Sequence, residues 1–369
     1  MSKAAELAKM GEVLTNSQLS GRRNIAYNGA MQISQRATEV TGIGAAADTN
    51  KFHTVDRWNL FHGSSDLAGR LTMSQSSDTP NGFGNSMKLD CTTADTSTAA
   101  GEEFLISQKL EGQDLQGIGK GTSDAKQLVL SWYAKGTPKT YGMEMYDNDN
   151  TRHFSNTWTV TSSWQRFTQV IPADTIGAFD DDNALSLYIL FWIHAGSTFS
   201  SGSSASSWAS VTNANRAAGV QSFFSSTDNE LYLTGVQLEI GSVATPFEHR
   251  SFGEELALCQ RYFFQINGTG TEYATMSSGQ MYTATTYLGY FKTPVPMRAR
   301  PSFSLNNSLS TTNFSVVTGG AVRAISGVTP TGDNQYLRIN ASLTSSGTVG
   351  NGGYIQLQSG YNALWDAEL

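Results

Sequence analysis

Between residues 24 and 250, apolar side chains recur at every second position in short runs broken by Gly, Asn, Asp and Ser. That period belongs to strands and not to helices. Runs at 86–91, 104–108, 127–134, 141–146, 164–171, 185–194, 220–224 and 230–240 predict eight strands, a number that suits an antiparallel jelly roll. Ile25, Ala26, Met31 and Ile33 are expected to begin the first of the strands. The run at 230–240 changes phase: Leu231 and Leu233 share one parity, whereas Val236, Leu238 and Ile240 share the other, which predicts a β-bulge at Gly235. Ser251 and Glu254 then form a capping box, in which each satisfies a backbone N–H of a first helical turn. Leu256, Cys259 and Phe263 give that helix one apolar stripe.

The pattern divides the chain into four parts. Residues 1–23 are expected to be an N-terminal helix and linker, in which Leu7, Met10 and Leu14 take a, d, a spacing over barely two heptads: either a helix for attachment or trimerisation, or a frayed or locally docked amphipathic helix. Residues 24–250 are the jelly-roll domain, 251–265 the linking helix, and 266–369 a second, smaller β-sandwich. Strands in this last part are expected at 280–291, 302–305, 314–317, 321–325, 336–343 and 354–358. The fold class is therefore mainly β: two antiparallel β-modules with a short N-terminal helix and a linking helix. Residues 195–219, rich in Ser, Gly and Ala, read as a long polar loop that is mobile or functional.

Composition supports this class and narrows the function. Only 15% of residues are charged, 11% are aromatic, and there are 36 glycines, as in short strands joined by polar turns. The formal charge of -7 and the lack of a Lys/Arg run argue against nucleic acid and anionic membrane surfaces. No apolar run reaches membrane-spanning length, so membrane insertion is not expected. Residues 1–14 lack the apolar core of a signal peptide, so an extracellular role would need another route, such as release by lysis within a particle. Cys91 and Cys259 make no disulfide framework and are expected to be buried.

Four aromatic residues are carbohydrate-contact candidates. In the strand at 185–194, Leu185, Leu187, Ile189, Phe191 and Ile193 share one face and must be core, which leaves Tyr188 and Trp192 on the opposite face, where an aromatic ring can stack on a sugar. A covering loop or neighbouring subunit explains the same pattern. Trp158 flanks a turn near Trp164, and Trp208 stands in the Ser-rich loop, so each is a sugar platform, a loop anchor or a subunit contact. Trp58 and Trp132 are assigned to the core. Asp147 with Asp149, and Asp180–Asp182, are possible calcium ligands but match no complete calcium loop, and solvated turns are the simpler reading. His53, His62, His153, His194 and His249 are dispersed, no nucleophile elbow is present, and GIGKG at 117–121 is too short for a phosphate loop. No enzyme signature and no cofactor are read from these residues.

Several phrases resemble a known family: RRNIAYNGAMQISQRAT (22–38), HTVDRW (53–58), LTGVQLEIGSVATPFEHRSFGEELALCQRYF (233–263), PVPMRARPSF (294–303) and WDAEL (365–369) are similar to the pattern in tail-fibre and related appendage proteins of tailed bacteriophages, notably marine ones. The resemblance implies a homotrimer on the virion surface, with a jelly roll similar to carbohydrate-binding modules and a distal β-domain that meets a host glycan or receptor. Its partners would be other tail proteins and the host surface. It carries no catalytic motif. The expectation is thus a noncatalytic adsorption subunit, against a glycan depolymerase tailspike or a purely structural adaptor.

Overall fold

The structure, a computed structural model, describes Lys3 and residues 22–63, 67–267, 273–305, 314–358 and 360–369; the helix expected over 1–14 lies, Lys3 aside, outside them. The chain divides between Glu255 and Leu256, within a helix, into two compact units, with Leu369 grouped in the first. The fold is mainly β, as the two-residue period requires.

In the first unit two antiparallel sheets face each other. One has, in spatial order, β1 (Glu39–Ile43), β4 (Arg70–Ser76), β5 (Ser86–Thr93), β13 (Glu230–Ile240), β7 (Leu128–Gly136) and β10 (Gln165–Ile171). The other runs β12 (Ala209–Ser210), β9 (Arg152–Val160), β8 (Lys139–Asp147), β11 (Leu185–Ala195), β6 (Glu103–Glu111), β3 (Asn59–Phe61) and β2 (Lys51–Phe52). Aromatic rings fill the space between them. Trp132 and Phe167 from the first sheet meet Trp158 and Phe191 from the second, with Trp158 centred 5.5 Å from Trp132 and 5.1 Å from Phe167. Trp58 and Trp132 are core as expected, and both cysteines are buried.

The phase change in β13 is a bulge. Its pairing with β7 shifts between Thr234 and Gln237, and Gly235 takes φ +61°. A side chain there would stand 2.7 Å from the Phe83 and Tyr133 rings, so a residue without Cβ is required. Beyond the bulge, β13 keeps its pairing with β7, but on the edge where β5 had paired it bonds to an irregular segment instead of a strand. Ile25 N donates to Leu238 O at 2.8 Å, Val236 N to Gly29 O at 3.0 Å, and the Asn24 amide bridges Val236 O and Leu238 N. The strands expected to begin at Ile25–Ile33 are therefore absent. These residues are buried, but Asn28 and Met31 take positive φ, and the Asn28 side chain spans Ile33 N and O as a turn.

Two other expectations change. Residues 220–224 form no strand but lead into a short helical turn at Phe223–Ser225, whose preceding Ser222 side chain accepts from Phe224 N; Phe223 and Phe224 are apolar because they are covered, while Gln221 is exposed. The capping box is present, with Ser251 N donating to Glu254 Oε2 at 3.4 Å and Glu254 N to Ser251 Oγ at 3.3 Å, but the helix spans Phe252–Gln260 and residues expected to continue it form a strand.

In the second unit β14 (Phe263–Asn267), β22 (Asn362–Asp366) and β17 (Ser302–Leu305) form a small sheet around Trp365, whose ring meets Phe264, Phe291 and Phe303. The remaining strands close into a barrel where a sandwich was expected: β15 (Ala274–Thr283), β16 (Thr286–Lys292), β20 (Tyr336–Leu343), β19 (Ala321–Gly332), β18 (Phe314–Thr318) and β21 (Gly352–Leu357), which returns to β15. The single strand expected at 280–291 is a hairpin, because its turn at 284–285 is Ala-Thr and has no turn-forming residue to announce it.

Gly235→Ala should destabilise the first unit by about 2–4 kcal/mol, from left-handed backbone strain added to the ring clash. Urea melts monitored by tryptophan fluorescence measure it. An unchanged midpoint would contradict the role given to the bulge.

Candidate functional site

Strand β11 lies between β6 and β8 in its sheet, so one of its faces turns toward the other sheet and the opposite face away from it. Leu187, Ile189, Phe191 and Ile193 face the first sheet and are fully buried, as the parity predicted. On the opposite face Tyr188, Leu190, Trp192 and His194 follow one another, and their surroundings differ from one end to the other.

The His194 end is closed. Its imidazole reaches Glu102 Oε2 at 3.0 Å and Ser222 Oγ at 2.7 Å, and burial lowers its pKa while Glu102 opposes that. In the middle, Trp192 is fully buried beneath residues 195–219, with Phe199 5.4 Å away and Ala217 in the same apolar cluster. Trp192 is thus not a sugar platform: the covering-loop alternative applies to it. That loop is ordered. It contains helical turns Ser197–Ser200 and Asn213–Arg216, and Ala209–Ser210 pairs with β9.

A buried carboxylate holds the loop down. Glu144 Oε1 and Oε2 receive Arg216 Nε at 3.0 and 3.2 Å, while His153 Nδ1 stands 2.9 Å from Oε1 and Trp192 Nε1 donates to Oε2 at 2.8 Å. The Arg216 guanidinium also lies 5.0 Å from the centres of the Tyr146 and Trp192 rings. Charge, hydrogen bonds and ring faces therefore fix one arginine, and through it the loop.

Past Arg216 the face opens into a cleft of about 340 Å³. Tyr188, Tyr146, Phe61, Phe199, Leu105 and Leu190 supply apolar surface, while Asn50, Asn148, Asn213 and Ser107 supply amides and a hydroxyl. The Tyr146 and Tyr188 rings meet edge to face at 5.7 Å, and burial, with the neighbouring Tyr146, raises the Tyr188 pKa against the opposing Arg216. Glu103 completes the lining. Burial raises its pKa, Arg216 opposes this and Glu144 reinforces it. Gly63 leaves room for this carboxylate, since a Cβ there would lie 2.3 Å from Glu103 Oε1. A half-buried acid without a hydrogen-bond partner among the described residues disfavours folding, as groups kept for a ligand do. Sequence reading missed Glu103, Tyr146 and Phe61, because only strand pairing brings them beside Tyr188.

The other expected residues lie elsewhere. Trp158 is 6% exposed, packed between the sheets with its Nε1 on Gly142 O, and is corrected to core. Trp208 is an anchor: its Nε1 donates to Pro172 O at 2.9 Å and its ring lies 5.4 Å from Lys120 Nζ. Lys120, in the GIGKG turn, is buried and donates to Asp147 Oδ2 at 2.6 Å, Ile176 O at 2.8 Å and Gly177 O at 2.7 Å, with Asp174 Oδ2 at 3.2 Å. An ammonium thus occupies the oxygen cluster in which Asp147 had been considered as a calcium ligand. Asp149 accepts from Asp180 N and Asp182 from Ala184 N, as turn residues do. Among the described residues no three or more His, Cys, Asp or Glu gather as a metal site.

Arg216→Met should cost about 3–5 kcal/mol by leaving the buried Glu144 carboxylate without its arginine and with only the His153 and Trp192 contacts, and limited proteolysis should then cut within residues 195–219. Resistance equal to the parent chain would contradict the staple. Glu103 binds its proton more tightly folded than unfolded, so its contribution falls as pH rises through the folded pKa. Glu103→Gln should therefore raise the melting temperature at pH 7 and have little effect below about pH 4, where both states are protonated. A lower melting temperature at pH 7 would contradict the unpaired assignment.

No known protein family and no curated protein matches the sequence. Among solved structures, the chain is similar to the tailspike protein 4 enzymatically active domain of bacteriophage CBA120, with 12% identity and a TM-score of 0.32 over 59% of this chain and 21% of that one. It is also similar to a CBM4 module, with 14% identity and a TM-score of 0.28 over 58% and 98% of the two chains. A third likeness, to the tandem CBM22-1–CBM22-2 domain of Paenibacillus barcinonensis Xyn10C, has 11% identity and a TM-score of 0.26 over 88% and 100%. The chain spans about a fifth of the tailspike chain's length.

Proposed function

We propose that this chain is a noncatalytic, glycan-binding subunit of a phage appendage, which contacts the host surface through the cleft beside Tyr188. The carrying observation is the cleft's lining: tyrosine and phenylalanine rings beside three asparagine amides and a Glu103 carboxylate that has no hydrogen-bond partner among the described residues. Rings stack on the C–H face of a pyranose, and the carboxylate and amides accept and donate hydrogen bonds to its hydroxyls. Arg216 is committed to Glu144, so the cleft has no free cation among its described lining residues and suits a neutral sugar.

The phage assignment rests on the phrases at 22–38, 233–263 and 365–369. Three chains in a homotrimer at the virion surface, released on lysis, would multiply weak single contacts through effective concentration. Glycoside hydrolysis commonly uses two carboxylates across the scissile bond. Glu103 is the one carboxylate among the described lining residues, which supports binding over cleavage.

Calorimetry of the intact chain with cello-, xylo- and galacto-oligosaccharides tests this reading. One of these neutral series should bind, and Tyr188→Ala should weaken it at least tenfold, about 1.4 kcal/mol, with little change in melting temperature. Failure of every series, or equal affinity in the variant, would overturn the cleft assignment. New reducing ends from host polysaccharide would favour the depolymerase, and one chain per particle by light scattering would remove the trimer.

A further inference from the structure

The barrel of the second unit bears an outer face unlike the cleft. Along β20, Leu337, Ile339, Ala341 and Leu343 are buried, so Tyr336 and Arg338 point outward. Tyr290 of β16 is the register partner of Arg338, and Lys292 is the partner of Tyr336. Two tyrosines and two cations thus form a checkerboard in which each ring stands directly across from a positive charge.

This patch is not explained by packing. Tyr290 and Tyr336 are 55% and 60% exposed. Lys292 Nζ lies 5.4 Å from the Tyr336 ring centre, and Arg338 Nε donates to Thr331 Oγ1 at 3.1 Å. Among the described residues neither cation has an ion-pair partner. The neighbouring acid, Asp333, uses Oδ1 to accept from Gln335 N at 2.8 Å and Tyr336 N at 2.7 Å, within the hairpin turn. The local charge also departs from that of the whole: residues 256–368 hold six Lys and Arg against four Asp and Glu, in a chain of net charge -7.

We propose that this face is a second saccharide site, specific for a chain of carboxylated sugars. A uronate carries its carboxylate at the rim of a ring whose C–H face can stack on tyrosine. Directly opposed residues on paired strands lie about 4.5–5.5 Å apart, so a sugar stacked on Tyr290 brings its carboxylate to Arg338, and one on Tyr336 brings its carboxylate to Lys292. The pairing occurs twice, which fits two units of one polymer. A neutral sugar would leave both cations unused.

The test uses the intact chain with polygalacturonate and with its methyl ester, which keeps the backbone and removes the charge. The acid polymer should bind at least tenfold more tightly than the ester and lose affinity as salt rises, and Lys292→Gln with Arg338→Gln should reduce its binding at least tenfold. If that double variant melts early, Tyr336→Ser alone should give the same loss. Tyr188→Ala should leave this binding unchanged, which separates the site from the cleft. Equal binding of acid and ester, an unaffected double variant, loss in Tyr188→Ala, or equally tight binding of a single-stranded oligonucleotide would each overturn the proposal.

Discussion

The burial of Glu144 is the constraint on which the candidate site depends. A carboxylate without solvent access is tolerable only when its charge and lone pairs are met, and Arg216, His153 and Trp192 together meet them. The arginine comes from a loop that is otherwise polar and rich in serine, and that has few apolar side chains of its own to hold it. Satisfying one buried acid therefore helps to fix where twenty-odd residues lie, together with the Trp208 anchor and the pairing of Ala209–Ser210 with β9. It also decides where they stop, since the uncovered part of the sheet beyond Arg216 is the cleft.

A comparable constraint governs the body of the first unit. The bulge at Gly235 turns the second half of β13 so that its backbone groups meet the segment carrying Asn24 and Gly29. Gly29 has to be glycine, because a Cβ would fall 2.0 Å from Val236 O. Glu248 accepts from Arg23 N and Asn24 N, and Glu255 accepts from Asn28 N, so the residues around the linking helix close the same network. The phrases that carry the phage resemblance at 22–38 and 233–263 are two sides of one hydrogen-bonded joint. Their role in this chain is architectural and says nothing of a ligand.

Local signals were legible in the sequence, and long-range ones were not. The bulge, the capping box, the inward face of β11 and the core positions of Trp58 and Trp132 each depend on a period or on residues a few positions apart. Strand β9 was missed because its inward residues, Phe154, Trp158 and Val160, alternate with polar ones too sparsely to stand out, which also misplaced Trp158 at the surface. Glu103, Tyr146, Phe61 and Arg216 meet Tyr188 only through strand order and a loop return. A single sequence contains no period that reports such a meeting. The GIGKG turn shows the same limit: nothing in the motif announces that four oxygens enclose its lysine.

The first unit thus joins a rigid two-sheet body to a cleft that is open at one end, and the staple makes that cleft preformed, so that little ordering has to accompany binding. Oxidative footprinting of the intact chain, read by mass spectrometry with and without saturating neutral oligosaccharide from the cello, xylo and galacto series, tests this most directly. The account predicts ligand protection at Tyr188, Tyr146 and Phe61, and an unchanged, low rate at Trp192, which is buried in both states. Equal labelling of Tyr188 in the presence and absence of every series, or protection confined to residues outside the cleft, would contradict it.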